Sequence, residues 1–168
     1  ATATDNCGEV VITLDEVTTP GSCAGDYTIT RTFTATDDCG NSTTETQTIT
    51  IIDTTAPILT IPEDYTAECS DNHPMYDAIA SDNCGEVTLE EVTDTIPGAC
   101  DGEYTITRTF TATDDCGNST SATQTITIID TTPPVITLPE DYTVECELEL
   151  YYDDATATDA CSLVVDIV

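Results

Sequence analysis

The residues of this chain that could do chemistry are carboxylates, amides and thiols that recur side by side. "DNC" at 82–84 and "DDCGN" at 114–118 each set acids and an amide beside a cysteine, and Asp53 stands in the preceding "IIDTT". Three chemistries compete for such groupings. Asp and Asn shape tight turns by bonding their own backbone. Hard oxygens converging on one point suit Ca²⁺, which takes about six to eight of them. Two positioned carboxylates flanking a cleft can hydrolyse a glycosidic bond. The expected calcium ligands are Asp53, Asp82, Asn83, Asp114, Asp115 and Asn118, and the turn reading stays open beside them. Catalysis is the weakest of the three, because there is no tryptophan to platform a sugar and His73 is the only histidine.

The elements that position these groups must be strands. Acids outnumber bases 33 to 2 and the net charge is −31. Nucleic acid and anionic membrane surfaces repel such a chain, so neither binding to nucleic acid nor direct membrane insertion is expected. Charge of this kind marks disorder only when apolar and β-branched residues are scarce. Here 37 threonines alternate with Val, Ile and Tyr, residues that fit a pleated, half-buried surface. An ordered all-β protein follows.

Repetition sets the organisation. The nine cysteines stand at 7, 23, 39, 69, 84, 100, 116, 146 and 161, and five of them recur 77 residues later. The 17 residues "YTITRTFTATDDCGNST" occur at 27–43 and again at 104–120, and "IIDTTAP" at 51–57 returns as "IIDTTPP" at 128–134. Proline in that last motif resists strand continuation and marks the boundary. The chain therefore reads as the C-terminal part of one repeat (1–53), a complete repeat (54–130) and the N-terminal part of a third (131–168), cut as a window from a longer tandem array. No signal peptide or lipidation motif is visible, which carries little weight in a chain that starts inside a unit.

Within the complete repeat, alternation predicts one or two short strands over 58–69, interrupted by "PEDY", then strands at 76–80 and 87–93. A long hairpin of 104–113 and 121–129 turns at "DDCGN". Tyr104, Ile106, Phe110 and Ala112 share one face with Arg108, and the threonines share the other. The fold class is a small immunoglobulin-like β-sandwich, repeated in tandem with a 77-residue period.

The ordered series "TIPEDYTAEC", "ASDNCG", "PGAC", "YTITRTFTATDDCGN" and "TQTITIIDTTAP" resembles the four-cysteine hyalin-repeat family of immunoglobulin-like modules. In particular it is similar to those found in tandem in large secreted surface proteins of Bacteroidota. The resemblance implies a role in cell adhesion and in building long surface stalks.

Small β units with about four cysteines each point to disulfides and an oxidising, extracellular setting. The absence of C-x-x-C spacing weakens zinc and thioredoxin-like readings. In an immunoglobulin-like strand order Cys84 and Cys116 lie at one end of a unit, and Cys69 and Cys100 at the other. The expected pairs are Cys84–Cys116, Cys69–Cys100 and, in the first repeat, Cys7–Cys39. Cys23, Cys146 and Cys161 then lack partners because their units are cut. Arg31 and Arg108 fall on the apolar face and must meet a carboxylate, for which Glu9 and Glu86 are the nominees.

"DTT" and "DTI" resemble an O-glycosylation sequence of exported Bacteroidota proteins and nominate Thr54, Thr95 and Thr131. Asn41 and Asn118 lie in the N-glycosylation pattern "NST". His73 aligns with Leu150 of the next copy and reads as a surface loop residue. The threonine ladders read as ordinary exposed strand faces sooner than as an ice-binding surface. The whole describes a structural segment of an extracellular stalk, filament or adhesin, stiffened by disulfides and by calcium at its junctions. Its first partners are neighbouring repeats of the same chain, then like filaments or surface glycans. The alternative is a polysaccharide-binding module with its site in the loops 70–76 or 93–99.

Overall fold

The computed structural model describes residues 1–100, 102–146 and 153–162, all of them in strands, turns and loops. The chain is all-β, with several sheets in a sandwich-like arrangement. β1 (Val10–Pro20), β2 (Tyr27–Asp37) and β3 (Ser42–Ile51) form one sheet in that order, antiparallel throughout. β4 (Ile58–Thr60) pairs with β6 (Ile79–Ser81), and β5 (Tyr65–Glu68) joins β7 (Val87–Pro97), β8 (Tyr104–Asp114) and β9 (Ser119–Ile129) in a sheet ordered β5-β9-β8-β7. β10 (Val135–Thr137) pairs with β11 (Thr156–Thr158). Strands starting at 10, 27, 42, 58 and 79 are answered by strands starting at 87, 104, 119, 135 and 156, each 77 residues on.

Physical reasons for the elements are local. "IPED" at 61–64 breaks the first strand of the complete repeat, since Pro62 offers no N–H to a ladder. The chain uses the break to leave β6 and pair with β9, this time in parallel: Tyr65 faces Ile126 and Glu68 faces Ile129. Both long hairpins close through the same turn. Gly40 (φ 88°) and Gly117 (φ 90°) take the left-handed conformation that ends it and that glycine adopts without strain. β7 runs on to Pro97, so 93–97 is strand and not the variable loop expected for a glycan site. The strand expected at 76–80 is shorter and later, at Ile79–Ser81.

By compactness the residues divide into two units: Ala1–Thr60 with Ile79–Glu90 and Thr111–Ser121, and Ile61–Ala78 with Glu91–Phe110 and Ala122–Val168. In the second unit the core is built from Ile106 on β8 and Ile126 and Ile128 on β9, with Tyr65, Ala67, Cys69 and Tyr104 packed against it. Arg108 is 4% exposed within this apolar face. Its Nε and Nη2 donate to the two carboxylate oxygens of Glu91 at 2.8 and 3.1 Å. Nη1 donates to the Tyr76 carbonyl at 2.8 Å and to Gln124 Oε1 at 3.1 Å. In the first unit Arg31 Nε reaches Glu16 Oε2 at 3.1 Å. The nominees Glu9 and Glu86 are therefore replaced by Glu16 and Glu91, because cross-strand register decides which acid lies opposite: Glu16 faces Arg31 directly across β1–β2.

The disulfides also differ from expectation. Cys116 bonds Cys23, and Cys69 bonds Cys161. The pairs Cys84–Cys116 and Cys69–Cys100 do not form, and Cys7, Cys39 and Cys84 remain thiols, so Cys7–Cys39 is absent too. Cys23 and Cys161, expected to lack partners, have them. The end of a repeat is where the neighbouring repeat docks, so a sulfur there meets the neighbour's loop before it meets its own.

Candidate metal centre

Three segments of the first unit converge on one small volume. Asp53 follows β3, Asp82 follows β6, and Asp114 ends β8 at the hairpin. One carboxylate oxygen from each lies within 4.8 Å of the other two. Asp53 is 9% and Asp114 7% exposed, and Asp82 is half-buried.

Asp114 is held by its own turn. Oδ1 accepts the Cys116 and Asn118 amides at 2.9 and 2.8 Å, and Oδ2 accepts the Asn118 side-chain amide at 2.9 Å. Burial raises this carboxyl, yet the Asn118 side chain and the turn amides outweigh burial and leave it below the ordinary carboxylate range. Asp114 therefore enters the cluster ionised. The Asn118 amide also donates to the Asp53 carbonyl at 3.3 Å, tying the turn to the segment after β3.

The other two acids are only half satisfied. Asp53 Oδ1 accepts the Thr55 amide at 3.0 Å, and Asp82 Oδ2 accepts the amides of Asn83 and Cys84. Asp53 Oδ2 and Asp82 Oδ1 are buried with no hydrogen-bond partner. An orphaned buried carboxylate oxygen is expensive unless a cation meets it. Neither arginine is available, since Arg31 and Arg108 are engaged by Glu16 and Glu91. The donors are hard oxygens only, the set that Ca²⁺ prefers.

Of the six residues nominated from sequence, the structure brings Asp53, Asp82 and Asp114 together and sets Asn118 as the bracket between two of them. Asn83 turns its amide to Cys84 Sγ at 2.9 Å, and Asp115 is exposed. Sequence reasoning missed Asp26, whose Oδ1 accepts the Asp53 amide at 2.8 Å beside the Cys23–Cys116 bridge. Its signal was the "GD" at 25–26 answered by "GE" at 102–103, in a loop assigned no role. Among the glycosylation nominees, Thr54, Thr95, Thr131 and Asn41 are exposed. Thr131 hydrogen-bonds Glu68 through its hydroxyl, and its amide reaches the same carboxylate at 3.0 Å. The Asn118 amide is occupied as described. His73 is half-buried in its loop, with Nδ1 on the Asp71 carbonyl at 2.9 Å.

The model of the HYR-like domain with 4 cysteines matches residues 1–51 and 57–128. The chain belongs to that family. Two curated relatives carry the name hyalin. The protein from Strongylocentrotus purpuratus is 36% identical over 177 residues, which is 94% of this chain and 14% of the relative. The protein from Lytechinus variegatus is 32% identical over 176 residues, again 94% of this chain and 33% of the relative. The HYR-like chain thus spans a third or less of these relatives. Its matched segments stop at 51 and resume at 57, and the gap holds Asp53, the acid that closes the cluster.

Proposed function

We propose that this HYR-like chain is a load-bearing segment of an extracellular tandem array, a stalk, filament or adhesin, whose repeats are pinned to one another by Ca²⁺ and by disulfides. The observation that carries the reading is the pair of orphaned oxygens, Asp53 Oδ2 and Asp82 Oδ1, aimed into a three-carboxylate cluster. A divalent ion there would neutralise acids contributed by the segment that ends one copy and by two loops of the next. That fixes the linker, which is what an extended array needs in order to keep its reach. The disulfides fit an oxidising compartment outside the cell, and the motif order fits the surface proteins of Bacteroidota. Neighbouring repeats are then the primary partners, with like filaments or glycans at the exposed faces.

Removing calcium with a chelator should lower the melting temperature of the 168-residue chain by roughly 5–10 °C, the scale expected when a ligand held well above its Kd is withdrawn. Asp53→Asn should abolish the difference between the two melts. Identical melts with and without chelator, together with no metal by elemental analysis, would overturn the reading.

A further inference from the structure

The two bridges obey one rule. Cys23 reaches 93 residues on to Cys116, and Cys69 reaches 92 residues on to Cys161. Both spans exceed the 77-residue offset between copies, so both join one copy to the next. In the frame of 54–130 the four cysteine positions are those of Cys69, Cys84, Cys100 and Cys116. Cys23 is a third-position cysteine and bonds a fourth; Cys69 is a first-position cysteine and bonds a second. The two bonds together use all four positions, and neither uses a position twice.

A second observation shows that the two junctions share one geometry. Gly25 packs so closely on Cys84 that an added Cβ would lie 3.0 Å from the Cys84 Cβ; the same construction on Gly102 lies 2.8 Å from the Cys161 Cβ. The loops carrying these glycines are closed alike. The Gly21 amide donates to the Asp26 carbonyl and the Gly98 amide to the Glu103 carbonyl, each at 2.8 Å. Cys84 thus occupies, at the first junction, the place that disulfide-bonded Cys161 occupies at the second. It is a half-buried thiol in a seat built for a bridge.

We infer that, wherever the 77-residue period continues, every junction carries both bonds, first position to the next copy's second and third position to the next copy's fourth, so that repeats are cross-linked to their neighbours and not within themselves. Cys84 is then the partner of a first-position cysteine 92 residues upstream, and Cys39 of a third-position cysteine 93 residues upstream. Each bond joins two Sγ atoms as two thiols lose two protons and two electrons. An external disulfide oxidant takes the electrons and leaves as two thiols. The inference rests on the array reading above but not on calcium.

The experiment extends the 168-residue chain ahead of Ala1 by a copy of residues 54–77, which completes the first repeat and supplies a first-position cysteine. The extended chain is refolded with oxidised glutathione, alkylated without reductant, and mapped by mass spectrometry after digestion with trypsin and a glutamate-specific protease. The expected result is a new cross-linked peptide joining the added cysteine to Cys84, and one alkylated thiol fewer than in the parent chain. Cys84→Ser should leave the added cysteine alkylated while Cys23–Cys116 and Cys69–Cys161 persist. Those two bonds are the control for folding. If they form and the added cysteine is recovered alkylated, or bonded to Cys23 of its own copy, the inference is overturned. Loss of the two parent bonds overturns it as well. Neither result bears on the chelator experiment, so the two readings fail separately.

Discussion

Residues 27–43 and 104–120 are the same 17 letters in two surroundings. In β8 the side chains alternate between buried and half-buried, with Phe110 at 1% and Ala112 at 0% exposed. In β2 no residue is buried, and Phe33 stays half-exposed. The hairpin geometry and its turn are common to both: Asp37 accepts the amides of Cys39 and Asn41 at 2.9 and 2.8 Å, as Asp114 does those of Cys116 and Asn118. Local sequence therefore builds the hairpin, and the segments laid against it build the core. In the complete repeat those segments are β5, which pairs with β9, and the loop that brings the Tyr76 carbonyl to Arg108. Among the described residues no strand pairs with the outer side of β3.

Substitutions at matched positions should split by environment. Phe110→Ala should cost about 3–5 kcal/mol through loss of apolar burial and the cavity left behind, and Phe33→Ala much less, measured by urea unfolding of the disulfide-intact chain. Equal losses would mean that the two hairpins are packed alike in solution. Arg108→Ala should cost about 2–3 kcal/mol, since it strands Gln124 and the Tyr76 carbonyl. Arg31→Ala should cost about 0–1 kcal/mol, because its pair with Glu16 is solvated.

Metal dependence should follow the same division. Asp114→Asn should weaken calcium stabilisation, whereas Asp37→Asn, the same change in the copy that has no cluster, should leave the chelator response unchanged. The smallest effect is electrostatic. Hydrogen bonding by Arg108 holds the Glu91 carboxyl below the ordinary glutamate value of 4.5. Its contribution is therefore fully present above that value and is lost as pH falls through it toward the lower folded-state value. Glu91→Gln should flatten the acid side of the stability profile, as read by melts across that range.

Strands and faces were legible because period-2 alternation is a local property, and the sequence placed Ile106, Phe110 and Ala112 on the buried side. The convergence of Asp53, Asp82 and Asp114 was legible from loop order at one end of a sandwich. Pairings that depend on register or on a neighbouring copy were not. The acid that meets the arginine sits at Glu16 in one copy and at Glu91 in the other, where a strict 77-residue shift of Glu16 lands on Thr93. The move of two residues keeps the carboxylate on the same strand face, so the compensation shows only once the strands are paired. Disulfide partners escaped for a related reason. Cysteines were assigned to ends of a unit as if those ends were free, whereas Cys116 and Cys161 lie where the next or previous copy supplies the nearer sulfur.

The parallel pairing of β5 with β9 has a mechanical consequence. β5 lies near the start of the complete repeat and β9 ends it, and the two run in the same direction. Tension along an array pulls the start of a repeat one way and its end the other. The Tyr65–Glu68 and Ile126–Ile129 segments must then slide past each other with their hydrogen bonds loaded together, and cannot peel apart one bond at a time. A repeat pulled through its termini should yield at a higher force than one pulled across β7 and β8 at the hairpin ends, a contrast that single-molecule stretching with the two attachment geometries can measure.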